Sequence, residues 1–325
     1  MSVLPAAGGT GANLARYSLI LALIVVLLTF SIVTPTFLTV ANLQSILVNN
    51  FTLLAIVSIA MTFAVAAGGI DLSVGTAVDF ASFAFVSLVL AGQPVVLAGL
   101  AGLAAGALVG LFNALLISAV GVTPFLATLG TLFIGRSIQQ LLTDGGNPVY
   151  LPPSGVPAAF RFLGHGTIGN VPVSLAVAGL VIAAAALVLA WTRFGRVVFS
   201  IGIQPSLVRY SGIGLRLPVA VTFVLAGLIA AVAGLLLTAT ITVYIPSSGN
   251  AFLLNAIGAT FIGTTLSPLG RPNVPGTVLG VLLLSIVANG LLLTGLNFYW
   301  QQVGTGTLIF AVLALSFINR KTVGA

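Results

Sequence analysis

Apolar runs of about 20 residues follow one another along almost the whole chain. Hydrophobic residues make up 59% of its 325 residues and charged residues only 4%, whereas about 25% of an ordinary soluble domain is charged. Ten basic and three acidic residues cannot keep a surface of this size in water. The runs are continuous rather than alternating, which favours helices over barrel strands. The expected fold class is an all-α membrane protein, a polytopic bundle of about ten transmembrane helices, some short or broken.

The predicted spans form one transmembrane domain, residues 17–318, between an N-terminal tail (1–16) and a C-terminal tail (319–325). The first run is too long for a signal-peptide core and is expected to be retained. The eighth span is short enough to be two half-helices or a re-entrant segment, and roughly eight to eleven helices would fit the pattern. The spans are 17–34, 42–67, 72–91, 95–118, 124–142, 171–191, 217–243, 251–266, 275–296 and 303–318.

The distribution of basic residues predicts the orientation, because cytoplasmic loops carry an excess of Lys and Arg. With an even number of spans, eight basic residues lie on one face, so both termini are expected in the cytoplasm. The loop 192–216 is then cytoplasmic, and the Pro- and Gly-rich loop 143–170 is external. The eight residues are Arg16, Arg193, Arg196, Arg209, Arg216, Arg271, Arg320 and Lys321.

The residue inventory excludes several functions. The chain has no cysteine, one histidine and three acids, so disulfides and thiolate metal sites are impossible and little remains for acid–base catalysis. The basic residues are sparse and lie between apolar runs, so nucleic-acid binding is not expected. The only lysine, Lys321, follows no Gly-rich phosphate loop, so ATP chemistry is not expected on this chain.

The string Gly68-Gly69-Ile70-Asp71-Leu72-Ser73 interrupts a long apolar stretch. Gly68 and Gly69 break the helix, and Asp71 is positioned to accept free amide protons at the start of the next one. Broken helices are tolerated in a membrane only where they are buried in protein or line a water-filled cavity. Asp71 is therefore either a structural cap or a contact for a permeant solute.

This string resembles the signature of the ribose/xylose/galactose-type permeases of bacterial ABC importers. Further strings that resemble this family occur in the same order over most of the chain. They are Ala60-Met61-Thr62-Phe63, the segments 110–115 and 124–131, Thr192-Arg193-Phe194-Gly195-Arg196, Ser211-Gly212-Ile213, the segment 276–280, Asn289-Gly290-Leu291 and Trp300-Gln301.

The resemblance implies an ABC importer permease fold in the bacterial inner membrane. It implies a permease subunit that forms the path for a monosaccharide or a related polyol-like solute, beside a second permease subunit. A periplasmic sugar-binding protein would deliver the solute, and a tandem-domain ATPase would carry the ATP and magnesium. No cofactor is expected on this chain, and it would not be an enzyme by itself.

The resemblance also implies that a short helix in the loop 192–216 docks on the ATPase and transmits its motion. Relatives usually carry Gly-Asn-x-Glu-Ala-Ala-Arg here, and Ser206 replaces the glutamate in this chain. Pro205 suits the first turn of such a helix. The alternative is a basic loop that only holds this face in the cytoplasm. The candidate coupling residues are Arg193, Arg196, Pro205, Ser206, Leu207, Val208, Arg209 and Gly212.

A second departure concerns charged positions near the C-terminus. Relatives usually carry Glu-Leu-Asp-Ala-Ile-Ala where this chain has Leu253 and Asn255 in place of the acids, and their Lys-Gly before the last helix is Thr305-Gly306 here. We therefore hypothesise that the chain works beside a different permease that retains the acids, as a heterodimer.

Polar residues inside the predicted spans are candidates for the path, since sugars are recognised by polar side chains and aromatic faces. For each of them, structural packing is the alternative. Asp79 either pairs with Arg136 or is protonated and hydrogen-bonded to a neighbouring helix, because an isolated charge at mid-membrane is costly. The path candidates are Asn49, Asn50, Phe51, Asp71, Asn113, Thr128, Arg136, Asn255 and Asn289.

Two other functions are compatible with a polytopic membrane protein. One is a secondary transporter, with Asp71 or Asp79 as the carboxylate that couples transport to an ion gradient. The other is a membrane assembly protein without a path, although broken helices and intramembrane charges argue against it.

Overall fold

The computed structural model of the protein describes residues 10–267 and 269–323. Residues 1–9 of the predicted N-terminal tail and 324–325 of the predicted C-terminal tail lie outside the described residues. The helices are α1 (Thr10–Val33), α2 (Val40–Ser45), α3 (Thr52–Ala66), α4 (Val74–Leu90), α5 (Val95–Ala114), α6 (Pro124–Leu142), α7 (Ala158–His165), α8 (Val173–Trp191), α9 (Arg193–Ile203), α10 (Pro205–Tyr210), α11 (Arg216–Ile241), α12 (Asn250–Thr264), α13 (Val274–Leu293) and α14 (Phe298–Val323).

Each predicted span contains a helix, and the all-α fold class is confirmed. Five helices of the described chain are long and apolar enough to cross a membrane, namely Val40–Ala66, Val95–Val120, Val173–Trp191, Arg216–Ile241 and Val274–Leu293. The number of crossings stays a prediction. The eighth span is the single uninterrupted helix α12, which excludes two half-helices there.

Two helices contain a stretch of wider π-helical turns. The segment Ile46–Phe51 joins α2 to α3, and Leu115–Val120 extends α5. In the first segment the Thr52 hydroxyl donates to the Leu47 carbonyl at 2.7 Å, five residues back. A π turn inserts one extra residue and re-aims the side chains around it. Two path candidates, Asn49 and Asn50, lie in this segment.

Helices α4, α5 and α11 form one tightly packed group. Helix α5 packs on its neighbours through a face of glycines, Gly102, Gly106 and Gly110. A Cβ on Gly106 would lie 2.8 Å from the Gly227 carbonyl oxygen, and one on Gly110 would overlap the Phe223 carbonyl of α11. Close backbone contact of this kind is what small-xxx-small spacing permits.

We expect Gly110→Ala to lower the stability of the protein and Gly99→Ala to leave it unchanged. The new methyl group at position 110 meets backbone of α11, which cannot rotate away, and such overpacking costs about 1–3 kcal/mol. Gly99 is the matched control on the same helix, since a Cβ there meets nothing within 4 Å. Thermal unfolding of the two variants in detergent would test this. Equal melting temperatures would contradict the packing argument.

The loop predicted to be external folds onto α4 and α11. Its strand β1 (Val149–Tyr150) pairs antiparallel with β4 (Val243–Tyr244), and β2 (Thr167–Ile168) pairs with β3 (Val171–Pro172). The helix α7 was not among the predicted elements. It is held by Phe160, whose ring stacks on Phe85 of α4 with the centroids 5.0 Å apart.

A second group contains α1, α12, α13 and α14. Helix α13 packs on α12, and α1 packs on α14. The central helix α3 contacts both α11 of the first group and α12 of the second. The two groups also meet directly where Gly75 of α4 abuts Gly249, the residue before α12.

Candidate solute path and coupling surface

The Gly68–Asp71 string forms a sharp break between α3 and α4. Gly68 has a φ of +83°, a conformation that favours glycine. A Cβ on Gly69 would lie 2.7 Å from the Pro124 ring of α6. The carboxylate of Asp71 is buried and its Oδ1 accepts hydrogen bonds from the amide (2.8 Å) and the hydroxyl (2.6 Å) of Ser73. These contacts give Asp71 a structural role inside the break, although its donor is Ser73, the residue before α4, and not an amide of the first turn of that helix.

A chain of buried hydrogen bonds continues from this break into α5 and α6. Asn113 Nδ2 donates to Ser73 Oγ at 2.7 Å, and Thr131 Oγ1 donates to Asn113 Oδ1 at 2.6 Å. The hydroxyl of Thr128 lies within hydrogen-bond distance of the Ile70 and Pro124 carbonyls. The side chains of Asn113 and Thr128 are fully buried. The structure therefore places them in a scaffold that fixes the break.

Asn289 is also occupied inside the protein. Its amide exchanges two hydrogen bonds of 3.0 Å with the amide of Asn42, joining α13 to α2. Phe51 is buried in the apolar core. Neither side chain lies among the residues that line the cavity described next.

One cavity of about 440 Å³ brings together three of the path candidates, Asn49, Asn50 and Asn255. It lies between the π-helical segment, α12, α13 and α14. Six of its side chains are amides, and among the described residues lining it none is charged. Its volume falls within the range of about 300–1,000 Å³ typical of small-molecule sites. The lining polar residues are Asn49, Asn50, Asn250, Asn255, Ser285, Gln301, Gln302 and Thr305.

Five of these polar residues were not among the predicted path residues. Gln301 and Thr305 are four residues apart, so they share one face of α14, which is a signal that the sequence carries. Asn250 and Ser285 give no such signal, because their helices are brought to the cavity by tertiary packing. We name the set of lining residues the amide cavity.

Asp79 is buried in α4 and does not pair with Arg136, so the ion-pair alternative is wrong, and the side chain is instead hydrogen-bonded within the protein. Its Oδ1 accepts hydrogen bonds from the Gly249 amide (2.7 Å) and the Ser248 hydroxyl (3.1 Å). The Arg136 side chain is exposed on α6, outside the amide cavity. The partner is the segment between α11 and α12, which packs against α4 in the folded protein. No pattern in the sequence around Asp79 indicates this contact.

The loop 192–216 contains the expected short helix, α10, and Pro205 occupies its first turn. Gly212, with a φ of +77°, ends it. Of the candidate coupling residues, Val208 is only 5% exposed, while the other seven lie at the surface. A groove of about 460 Å³ runs beside α10, and both Arg196 and Arg271 line it. This surface is exposed and basic.

The break at Gly68 touches this loop directly. A Cβ on Gly202 of α9 would overlap the Ala66 carbonyl at the end of α3 and lie 3.1 Å from the Gly68 amide nitrogen. Backbone therefore packs on backbone at this point. Motion of α9 and α10 can reach the helix break without an intervening side chain.

Comparison with known proteins gives one family and several relatives. The model of a family described as branched-chain amino acid transport system / permease component matches residues 43–313. The chain is 30% identical over 302 residues to the ribose import permease protein of Haemophilus influenzae, covering 93% of each protein. It is 31% identical over 312 residues to that of Escherichia coli K12 (96% of each), and 30% identical over 303 residues to the galactose/methyl galactoside import permease protein of the same strain (88% and 89%). No solved structure matches it.

Proposed function

The chain belongs to the family of branched-chain amino acid transport system permease components, and on that premise we propose that it is the permease subunit through which an ABC importer moves a monosaccharide or related polyol. The relatives named for ribose and galactose import support this solute class. Their similarity extends over at least 88% of this chain.

The amide cavity is the observation that carries the choice of solute. Neutral amides both donate and accept hydrogen bonds, which matches the hydroxyl groups of a sugar. An amino acid carries an ammonium and a carboxylate, and burying either without an opposite charge is unfavourable. The described lining of the cavity has no charged side chain. A neutral polyol therefore fits it better than an amino acid does.

The proposed partners follow from the family and from the two ends of the molecule. The loop 192–216 would dock on a tandem-domain ATPase that carries ATP and magnesium, and the loop 143–170 would receive a periplasmic sugar-binding protein. Both termini would lie in the cytoplasm and the chain in the bacterial inner membrane. The basic residues on α9 and α10 support that orientation.

A second permease subunit would complete the path, and we propose that it is a different chain. Asn255 and Thr305 stand where the family resemblance implies charged residues, and both line the amide cavity. One position of each departure therefore lies at this cavity, whereas Leu253 does not line it. A partner that retains the charges would make the two halves of the path unequal. Purification of the tagged chain from its native host would yield two permease species if this is correct.

Reconstitution in liposomes tests the proposed function. We expect uptake of radiolabelled ribose or galactose only when ATP, the ATPase and the binding protein are all present. The isolated chain under a proton or sodium gradient should show no uptake. Uptake under the gradient alone would instead support a secondary transporter, and failure of every sugar in the complete system would contradict the proposed solute.

Within that system we expect Asn255→Leu to reduce sugar uptake at least fivefold. The substitution removes one amide from the lining of the cavity, and the leucine side chain is similar in size to the asparagine that it replaces. Gln140→Leu is the matched control, since this exposed amide on α6 lies outside the cavity. It should retain more than half of the wild-type rate. Equal rates for the two variants would remove the amide cavity from the path.

A further inference from the structure

We propose that Asp79 and Gln139 form a latch that positions the start of α12 at the amide cavity by holding the segment that connects the cavity to the 143–170 end of the molecule. The proposal rests on the proposed function, because it gives these two residues a positioning role in solute transfer. Neither residue contributes to the lining of the cavity.

Two buried side chains hold the segment between α11 and α12. Gln139 Oε1 accepts hydrogen bonds from the Tyr244 hydroxyl (3.1 Å) and the Ser247 amide (2.7 Å). At the next two residues, Asp79 Oδ1 accepts hydrogen bonds from Ser248 Oγ and the Gly249 amide. Helix α4, through Asp79, and helix α6, through Gln139, thus hold the same short backbone segment. We name this segment, residues 243–249, the clamped segment.

The clamped segment connects two functional regions. Its first two residues are strand β4, which pairs with β1 in the loop 143–170. Its last residue precedes Asn250, where α12 begins, and both Asn250 and Asn255 line the amide cavity. A displacement of β1 therefore moves the start of α12, unless the latch holds the segment in place.

Two residues in or next to the clamped segment have backbone conformations that their residue types do not favour. Thr242 and Ser247 have φ values of +54° and +63°, which side-chain-bearing residues rarely adopt. Gly249 packs so closely on Gly75 of α4 that a Cβ on either would overlap the other's backbone or lie only about 3.0 Å from it. Such a conformation persists only where surrounding contacts enforce it. Asp79 and Gln139 supply those contacts.

The latch is incompletely satisfied, which suits an element that opens. Asp79 Oδ2, Thr76 Oγ1 and Asn250 Oδ1 are buried without a hydrogen-bond partner. Buried polar atoms are normally paired, and unpaired ones disfavour the state that contains them. The position of the clamped segment therefore depends on the four hydrogen bonds that Asp79 and Gln139 accept, and a pull on β1 would act against these bonds.

The test uses the absence of cysteine from the chain. Asn255→Cys is introduced into the full chain in nanodiscs, and the reaction rate of the new thiol with a bulky maleimide is measured alone and in three further backgrounds. Asp79→Leu and Gln139→Leu should each change the rate at least threefold, because α12 loses an anchor. Asp79→Asn keeps an oxygen that accepts hydrogen bonds from Gly249 and Ser248. The labelling rate in this background should therefore lie within twofold of the rate measured with Asn255→Cys alone. A separate Ser211→Cys substitution in the loop 192–216 supplies the control thiol.

Each outcome decides the proposal. A changed rate for the thiol at position 255 with an unchanged rate for the control thiol at position 211, rescued by Asp79→Asn, supports the latch. Unchanged rates at position 255 overturn it, and so do equal changes at both positions, which indicate general unfolding. In the reconstituted system Asp79→Leu should lower uptake at least fivefold and Asp79→Asn less than twofold. The labelling experiment does not depend on transport. If the reconstituted system never transports sugar, the proposed function is refuted, and the labelling rates still decide whether the latch exists.

Discussion

Gly202→Ala is expected to reduce ATP-driven uptake at least tenfold while the chain still inserts into the membrane and binds the ATPase. The added methyl group would overlap the Ala66 carbonyl, which belongs to the last turn of α3 and cannot rotate away. Helix α9 must then move off the break between α3 and α4. Backbone contact at this point links the loop 192–216 to the break. Separation of α9 from the break therefore interrupts the transmission of motion to α3 and α4, but not the binding of the ATPase.

The matched control for this prediction lies in the same loop. Gly214 has no atom within 4 Å of the position of an added Cβ and its φ is not in the left-handed region. Gly214→Ala should therefore transport at more than half of the wild-type rate. The measurements are ATP-dependent sugar uptake in proteoliposomes and co-purification of the ATPase. Full uptake by Gly202→Ala would show that the glycine contact carries no motion.

The helices in the apolar runs could be predicted from the sequence because the signal for a membrane helix is local. A run of about 20 apolar residues satisfies its own backbone hydrogen bonds and needs no partner to be recognised. Two helices outside the apolar runs were missed for the opposite reason. Helix α7 is stabilised by Phe160 stacking on Phe85, and α9 by packing of Val198 and Ile201 in the interior. Those contacts span distant parts of the chain.

The candidate site was predictable only as a set of polar residues inside spans. Asn49, Asn50 and Asn255 meet in one cavity, whereas Asn289 is occupied by Asn42, 247 residues away along the chain. Both kinds of asparagine look alike in the sequence. Which of them lines the cavity depends on the register of one helix against another, and a single sequence does not contain that information.

The same reasoning explains why the partner of Asp79 could not be chosen from the sequence. A buried carboxylate requires a partner, and the sequence offers both an ion pair with Arg136 and hydrogen bonds to a neighbouring helix. The structure supplies two donors from residues 248 and 249 instead. A backbone amide can donate to a carboxylate as a side chain does. Residue type does not show which backbone amide will be the donor.

Replacement of Leu207 and Arg209 together by Asp is expected to abolish co-purification with the ATPase while leaving membrane insertion unchanged. Leu207 is 58% exposed and Arg209 lies on the surface of α10, so neither change disturbs the interior. The apolar side chain would be buried at the interface, and two new carboxylates would have to be desolvated there. Reversal of charge at Arg209 adds repulsion from any acidic surface that fits a basic groove.

Val208 is left out of this variant, although the sequence pattern includes it among the coupling residues. Its side chain is only 5% exposed and faces the interior beneath α10. Val208→Asp would bury a charge without a partner, which is strongly destabilising. Loss of ATPase binding in that variant would therefore report unfolding of the loop rather than removal of a contact. The exposed pair separates the two effects.

The matched control carries the same kind of change at the opposite end of the molecule. Ile168, in the hairpin of β2 and β3, is 61% exposed, close to the exposure of Leu207. Ile168→Asp should bind the ATPase like the wild-type chain, because its surface lies in the loop predicted to be external. Quantitative pull-down from detergent extracts compares the variants at equal expression. Wild-type recovery of the ATPase with the Leu207–Arg209 variant would mean that α10 is not the docking helix. Loss with Ile168→Asp alone would mean that the orientation is reversed, and equal loss with both variants would indicate general unfolding.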